Sequence, residues 1–305
     1  MASKYSKLLL VGDNPFHGIS HMSEDRARAR GNEINTAKYA ADLVSNSLKN
    51  GANGFMFSVS ENTLSALQIV CEKIGNESLE LHAIVPYAYE YVRLATHSGT
   101  LGLGRKLASE ILMSRNISAI GSGLKGVVGM NIVDIMKTYI KYEKNRISSS
   151  IGKKQKLTSI LLHEVITDMV IALDLDWFVK SYIRFISRLG IKPGFETRNF
   201  SYLVNKFKDW KIDFSQIELV SSFNKVGFQM NPSKNSCEVA LASIPECEVI
   251  AMSILAAGYI KLPEAADYVE SLPNLKGLVV GVSKEKQALE TFSFLRDKFS
   301  VKSNL

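Results

Sequence analysis

The chain contains five histidines, and three of them, His17, His21 and His163, lie in polar stretches where proton transfer could be arranged. His163 closes the apolar run SILL and is followed by Glu164. An imidazole titrates near neutrality, and a neighbouring carboxylate tunes it, so this pair is a candidate acid/base centre. His17 and His21 belong to the stretch DNPFHGISH, where Asn14 is a candidate substrate contact. The same stretch could instead be a Pro turn in which Asn14 and Ser20 bond the backbone. Glu196 and Arg198 stand two residues apart in ETRN. There a guanidinium could clamp a carboxylate or phosphate beside a carboxylate base; the alternative is a salt bridge on the rim.

A second set of residues could bind rather than react. Gly281-Val282-Ser283-Lys284 joins an apolar run to a helical stretch, and free N–H groups and the helix dipole at such a junction favour a phosphate. Gly258 would let a ligand approach the backbone closely, Asn231 offers a polar contact in FQMNPS, and Tyr87 is a phenol following the run HAIVP. A divalent metal held by His17, His21 and His163 with a carboxylate is chemically possible, since these donors suit zinc or iron. Gly121, Gly123 and Gly126 have GxGxxG spacing but follow only a weak strand candidate, so they read as a flexible bend rather than a dinucleotide fingerprint.

These residues need a scaffold, and the apolar pattern supplies one. Short β-branched runs at 7–12, 53–59, 79–86, 157–162, 192–196, 217–221, 248–253 and 276–281 alternate with helical stretches at 36–49, 61–74, 88–147, 176–189, 199–209, 234–243, 263–271 and 284–299. Alternating strand and helix signals predict parallel βα units. Eight of each predict a (β/α)8 TIM barrel spanning 1–305 as one domain, with a helical excursion over about 99–156 between the third and fourth strands. Helices are expected there at 103–114 and 130–146. Asp176, Asn199 and Ser283 are candidate N-caps, Pro263 suits a first helical position, and Gly51, Gly75 and Gly190 follow helix ends. In such a barrel the chemistry gathers where strands end, which is where the candidate residues stand, whereas His82 begins a strand.

Composition narrows the class. With 46% hydrophobic residues in 305, the chain is neither disordered nor a disulfide scaffold, and a sizeable core is assured. The cysteines Cys71, Cys237 and Cys247 are odd in number and lack CxxC spacing, which fits a reducing, cytoplasmic compartment. Neither a signal h-region nor an apolar run of about 18 residues is present, so no membrane association is expected. The net charge of +7 is spread along the chain, apart from Lys153, Lys154, Lys156 and Lys206, Lys208, Lys211. It reads as a solvated basic surface rather than a nucleic-acid site. The helices of the excursion carry enough apolar residues to dock on the barrel or to form a homo-oligomer.

The segments SILLHEVITD, LGIKPGFETRNFSYL, VIAMSILAAG and LVVGVSKEKQALETF, in this order, resemble the fourth, fifth, seventh and eighth strand regions of the aldo/keto reductases over about 157–297. The resemblance implies a barrel reductase in which His163 matches the active-site histidine. Thr197 and Asn199 would then hold the nicotinamide amide, and Ser283, Lys284, Gln287, Glu290 and Thr291 would grip the adenosine phosphate of NADPH. The Asp and Lys of the reductase tetrad have no counterpart in GFMFSVSENT and HAIVPYAYEY, which leaves Tyr87 as the nearest phenol. With its NPFHGxSH start, the chain resembles a group of reductase-related barrels without the usual tetrad.

These readings lead to an enzyme acting on a small, anionic metabolite by acid/base chemistry. His163 would act with His17 or His21, Glu164 and Glu196, while Arg198 and the 281–284 cradle hold the anion. Isomerase, lyase or hydrolase chemistry is then ahead of redox chemistry. The alternatives are an NADPH-dependent carbonyl reductase using Tyr87 and His163, and a non-catalytic barrel that binds a ligand or a protein partner.

Overall fold

A computed structural model describes residues 7–17, 36–75, 77–86 and 132–299. Eight strands run parallel: β1 Leu8–Gly12, β2 Gly54–Ser58, β3 Glu80–Val85, β4 Ser159–Leu162, β5 Lys192–Thr197, β6 Glu218–Ser222, β7 Glu248–Met252 and β8 Leu275–Gly281. Each pairs with the next, and β8 returns to β1 with Leu8 opposite Gly277 and Gly12 opposite Gly281, which closes the barrel. The fold is a (β/α)8 TIM barrel.

The described helices are α1 Ala37–Lys49, α2 Glu61–Ile74, α3 Ile132–Ile151, α4 Glu164–Ala172, α5 Asp176–Arg188, α6 Phe200–Asp209, α7 Lys234–Ala242, α8 Leu262–Ser271 and α9 Glu285–Phe299. Of the two helices expected in the excursion, the one predicted at 130–146 is α3, which runs five residues further; 103–114 lies outside the described residues. No helix among the described residues is long and apolar enough to cross a membrane.

Strand alternation sorts the side chains into two cores. Outward residues such as Phe55, Leu81, Ile160, Leu162, Phe195, Leu219 and Leu278 pack under the helices. Inward residues Leu10, Met56, Ile84, Leu161, Val220 and Ile250 fill the lumen. Glycine makes that filling possible on β5. A Cβ on Gly194 would lie 2.3 Å from Leu161 Cδ2, so the strand gives up its own side chain to admit its neighbour's. Below the apolar layer, His82 Nδ1 lies 2.8 Å from Ser159 Oγ and 2.9 Å from Glu218 Oε1, all three buried. His82 therefore serves the bottom of the barrel. Above the layer, the same alternation turns Ser58, His163, Glu196 and Ser222 toward the mouth.

Several helix ends differ from expectation. Asp176 is the first residue of α5 rather than its cap, which falls on Leu175 without a side-chain bond. Asn199 occupies the cap position of α6, but its amide is turned elsewhere. Ser283 caps nothing with its hydroxyl; instead its N–H donates to Gln287 Oε1 at 3.0 Å. Pro263 lies in the first turn of α8 as its second residue, one later than expected, and Gly75 and Gly190 end helices at φ 63° and 70°.

Candidate active site at the barrel mouth

β4 ends in a residue that serves two elements. The N–H of His163 donates to Val85 O at 2.8 Å, extending the ladder, while its imidazole caps α4 by accepting the Val165 N–H on Nδ1 at 3.2 Å. A backbone N–H can only donate, so Nδ1 presents its lone pair and the ring proton resides on Nε2. Burial holds the His163 pKa below the ordinary imidazole range, against the pull of Glu164 and Asp13 and with the push of Arg198. At pH 7 His163 is a neutral ring offering an Nε2–H donor.

Glu196 reaches the mouth because Phe195, its strand neighbour, is turned into the outer core. Burial, reinforced by the charges of Glu164 and Asp13, pushes its carboxyl up to about 8. The Glu164 N–H, 3.4 Å from Oε2, and the charge of Arg198 only partly offset this. Glu196 is thus protonated at neutral pH and sits close to the point where it can exchange its proton.

The remaining groups form a frame. Arg198 Nε donates to Glu164 Oε2 at 2.6 Å, so the guanidinium expected to clamp an anion is held by a carboxylate one strand away. Asp168, one turn after Glu164 on α4, accepts from Thr197 Oγ1 at 2.5 Å and from Asn199 Nδ2 at 2.9 Å. Burial raises its pKa even though these bonds favour the charged form. Asp13, at the end of β1 and buried, accepts the Ser58 N–H at 2.6 Å and ties β1 to β2. Among the described residues the mouth thus gathers Asp13, Glu164, Asp168 and Glu196 around one guanidinium, an acidic setting that does not favour the anionic metabolite expected from sequence.

The structure brings His163, Glu164, Glu196 and Arg198 together. It keeps other candidates on the rim. Asn14 is exposed in a 3-10 turn, Asn14–His17, and Pro15 of that turn seats on Gly281, where a Cβ would meet the ring at 2.9 Å. Gly281 is glycine for that contact. Asn231 is exposed and gives its N–H to Arg198 O at 3.3 Å. Gly258 ends a turn with φ 90°, a conformation that calls for glycine without a ligand. Lys284, just before α9, and Glu290, on it, are exposed. The side chain of His17, and all of His21 and Tyr87, lie outside the described residues. Among the described residues no group of three His, Cys, Asp or Glu side chains could hold a metal ion; of the three histidines named for a metal, only His163 is among them.

Asp13 and Ser222 stand among the polar residues at strand ends but carry no assigned role in the sequence, and Asp168 is not among its candidates. Asp13 had a legible signal, being the first residue after a strand. Asp168 had none, because the helix that carries it was not predicted.

No family model matches the chain, and no curated protein matches it in sequence. Solved structures do match. One, provisionally described as an aldo-keto reductase from Pseudomonas aeruginosa, superposes with a TM-score of 0.58 at 11% identity, covering 95% of this chain and 90% of its own. A second structure with the same description and source gives 0.59 at 11% identity, with 95% and 89% covered. The chain is an aldo-keto-reductase-like barrel.

An aldo-keto-reductase-like barrel invites the question of whether its residues suit NADPH. Thr197 and Asn199, the implied nicotinamide ligands, are bound to Asp168. The Ser283 N–H is taken by Gln287 and its carbonyl by the Tyr39 hydroxyl at 3.0 Å. Gly281 is covered by Pro15. As arranged, these residues do not fit the cofactor.

Proposed function

We propose that this chain is an enzyme that moves a proton next to a carbonyl group of a small polar metabolite, an isomerase or lyase rather than a reductase. The observation that carries the reading is the pairing, on the adjacent strands β4 and β5, of a neutral imidazole with a carboxyl raised to about 8. The two groups have complementary tasks. Glu196, once ionised, takes the proton from the carbon beside the carbonyl, and the C–H electron pair moves into the forming C=C bond. The carbonyl oxygen takes up the negative charge and is met by His163 Nε2–H. In a hydroxy-carbonyl compound His163 passes its Nε2 proton to that oxygen and takes one back from the neighbouring hydroxyl, while Glu196 delivers its proton to the former carbonyl carbon, which completes an isomerisation. A base with a pKa near the working pH is both available and strong, and such general catalysis contributes roughly 100- to 10,000-fold. A neutral imidazole is suited to the oxygen because it donates without having first to lose a charge.

The experiment is hydrogen exchange. Small hydroxy- and amino-carbonyl compounds are incubated with the protein in D2O and followed by NMR. Carbon-bound hydrogen should exchange with the native chain, and at least about 100-fold more slowly with Glu196→Gln. Exchange that persists unchanged in that variant excludes Glu196 as the base.

The likeness in fold supports a second reading, an NADPH-dependent carbonyl reductase. The engagement of Thr197, Asn199 and Gly281 speaks against it. A thermal shift with NADPH at millimolar concentration, and none with small carbonyl compounds, would put this reading first.

A further inference from the structure

We propose that the floor of the mouth between Glu196 and Ser222 receives a primary ammonium group, so that the compound handled here is a small amine carrying a carbonyl or hydroxyl oxygen. This rests on the acid/base reading of the same site and adds the chemical class of its ligand.

Ser222 is the last residue of β6. Its neighbours fix its direction: Leu219 lies in the outer core and Val220 in the lumen, so Ser222 is turned inward at the mouth. Its residue is 0% exposed, and its hydroxyl has no hydrogen-bond partner. A buried hydroxyl without a partner is costly, and a ligand that supplies one relieves that cost. On the adjacent strand, Glu196 receives only the long bond from the Glu164 N–H at 3.4 Å. A hydroxyl that can donate or accept and a carboxyl that accepts once ionised therefore stand on adjacent strands at the mouth.

The donor stands beside them, at the end of β4. His163 offers Nε2–H and, being neutral, accepts nothing there. A ligand that presents donors toward Ser222 and an ionised Glu196, and an acceptor oxygen toward His163, satisfies the whole site. Charge decides which donor. Among the described residues, Asp13, Glu164, Asp168 and Glu196 share the mouth with a single guanidinium, that of Arg198, which Glu164 already holds. An ammonium brings three N–H donors and a positive charge into this field, and ionises Glu196 as it binds; a carboxylate or phosphate would add a like charge.

Ethanolamine, ethylene glycol and glycolate are of nearly equal size and differ in charge, which makes them the probes. Two readouts are taken on the full chain: the thermal midpoint, and the Glu196 titration by infrared difference against Glu196→Gln. Ethanolamine should raise the midpoint and lower the Glu196 titration from about 8, with affinity increasing as the pH rises through that value. Ser222→Ala, which removes an unpartnered group and so should fold at least as well, should weaken ethanolamine about tenfold and leave the unliganded titration in place. A response to glycolate instead, an equal response to ethylene glycol, no response to any probe, or undiminished ethanolamine binding by Ser222→Ala overturns the proposal. The two levels of the argument separate cleanly. If Glu196 titrates near 8 but ignores ethanolamine, the ammonium site is wrong and the acid/base reading stands. If Glu196 titrates as an ordinary carboxylate, the acid/base reading itself falls.

Discussion

A carboxyl that holds its proton in the folded chain and releases it in the unfolded one couples stability to pH. Glu196 is pushed from 4.5 to about 8, so between these values the folded state binds a proton that the unfolded state lacks, and stability falls as the pH rises across that window. Glu196→Gln should remove this slope. Denaturant midpoints at pH 4, 6 and 8.5 should show the variant equal to the native chain at the acid end and more stable at the alkaline end, by on the order of 5 kcal/mol; parallel profiles would contradict the assignment. For His163, nitrogen-15 NMR at pH 7 should find Nδ1 bare and Nε2 protonated, with titration below 6.5, its ordinary value. A ring protonated at both nitrogens at pH 7 would remove it as a neutral donor. His163, Glu164, Glu196 and Arg198 were legible in the sequence because residues at strand ends meet at one face of a barrel. The partner of Arg198 and the orphaned hydroxyl of Ser222 were not, because each depends on what lies on a neighbouring strand or helix.

At the level of elements, α4 has the most influence on the site. Its first turn supplies Glu164 to Arg198, and its second supplies Asp168 to Thr197 and Asn199, so a helix of nine residues fixes the loop after β5. Asp168→Ala should cost about 2 kcal/mol, the order expected for losing hydrogen bonds to a charged group. Hydrogen exchange should then accelerate at the amides of Arg198 and Asn199 more than in β5 itself; uniform acceleration would mean that Asp168 does not hold the loop. The 3-10 turn after β1 depends in the same way on Gly281. Gly281→Ala should displace Pro15 and cost about 1–3 kcal/mol by overpacking, which calorimetry would register, and an unchanged melting point would mean that the turn yields freely. The eight strands could be read from sequence because each is a short apolar run bounded by turn residues. The helix α4 escaped because EVITDMVIA is rich in β-branched residues and follows a strand directly. Its start is marked only by His163, a residue seldom counted among helix caps.

On the scale of the molecule, the barrel has polar ends and an apolar waist. The lower end is held by His82, Ser159 and Glu218, and removal of one member leaves the others buried without it. Glu218→Ala should therefore destabilise by about 3 kcal/mol or more, whereas leucines at all three positions should be near neutral, since a buried polar cluster adds little over good packing. Chemical denaturation of the two variants decides this, and a benign Glu218→Ala would show that water replaces the carboxylate. The waist of Leu10, Met56, Ile84, Leu161, Val220 and Ile250 has a further consequence. With no hydroxyl, amide or carboxyl among its side chains, it offers protons no relay and behaves as a dielectric diaphragm between the two ends of the barrel. The mouth can thus be retuned by substitution without disturbing the base, and the base can be redesigned for stability while the Glu196 titration stays where it is.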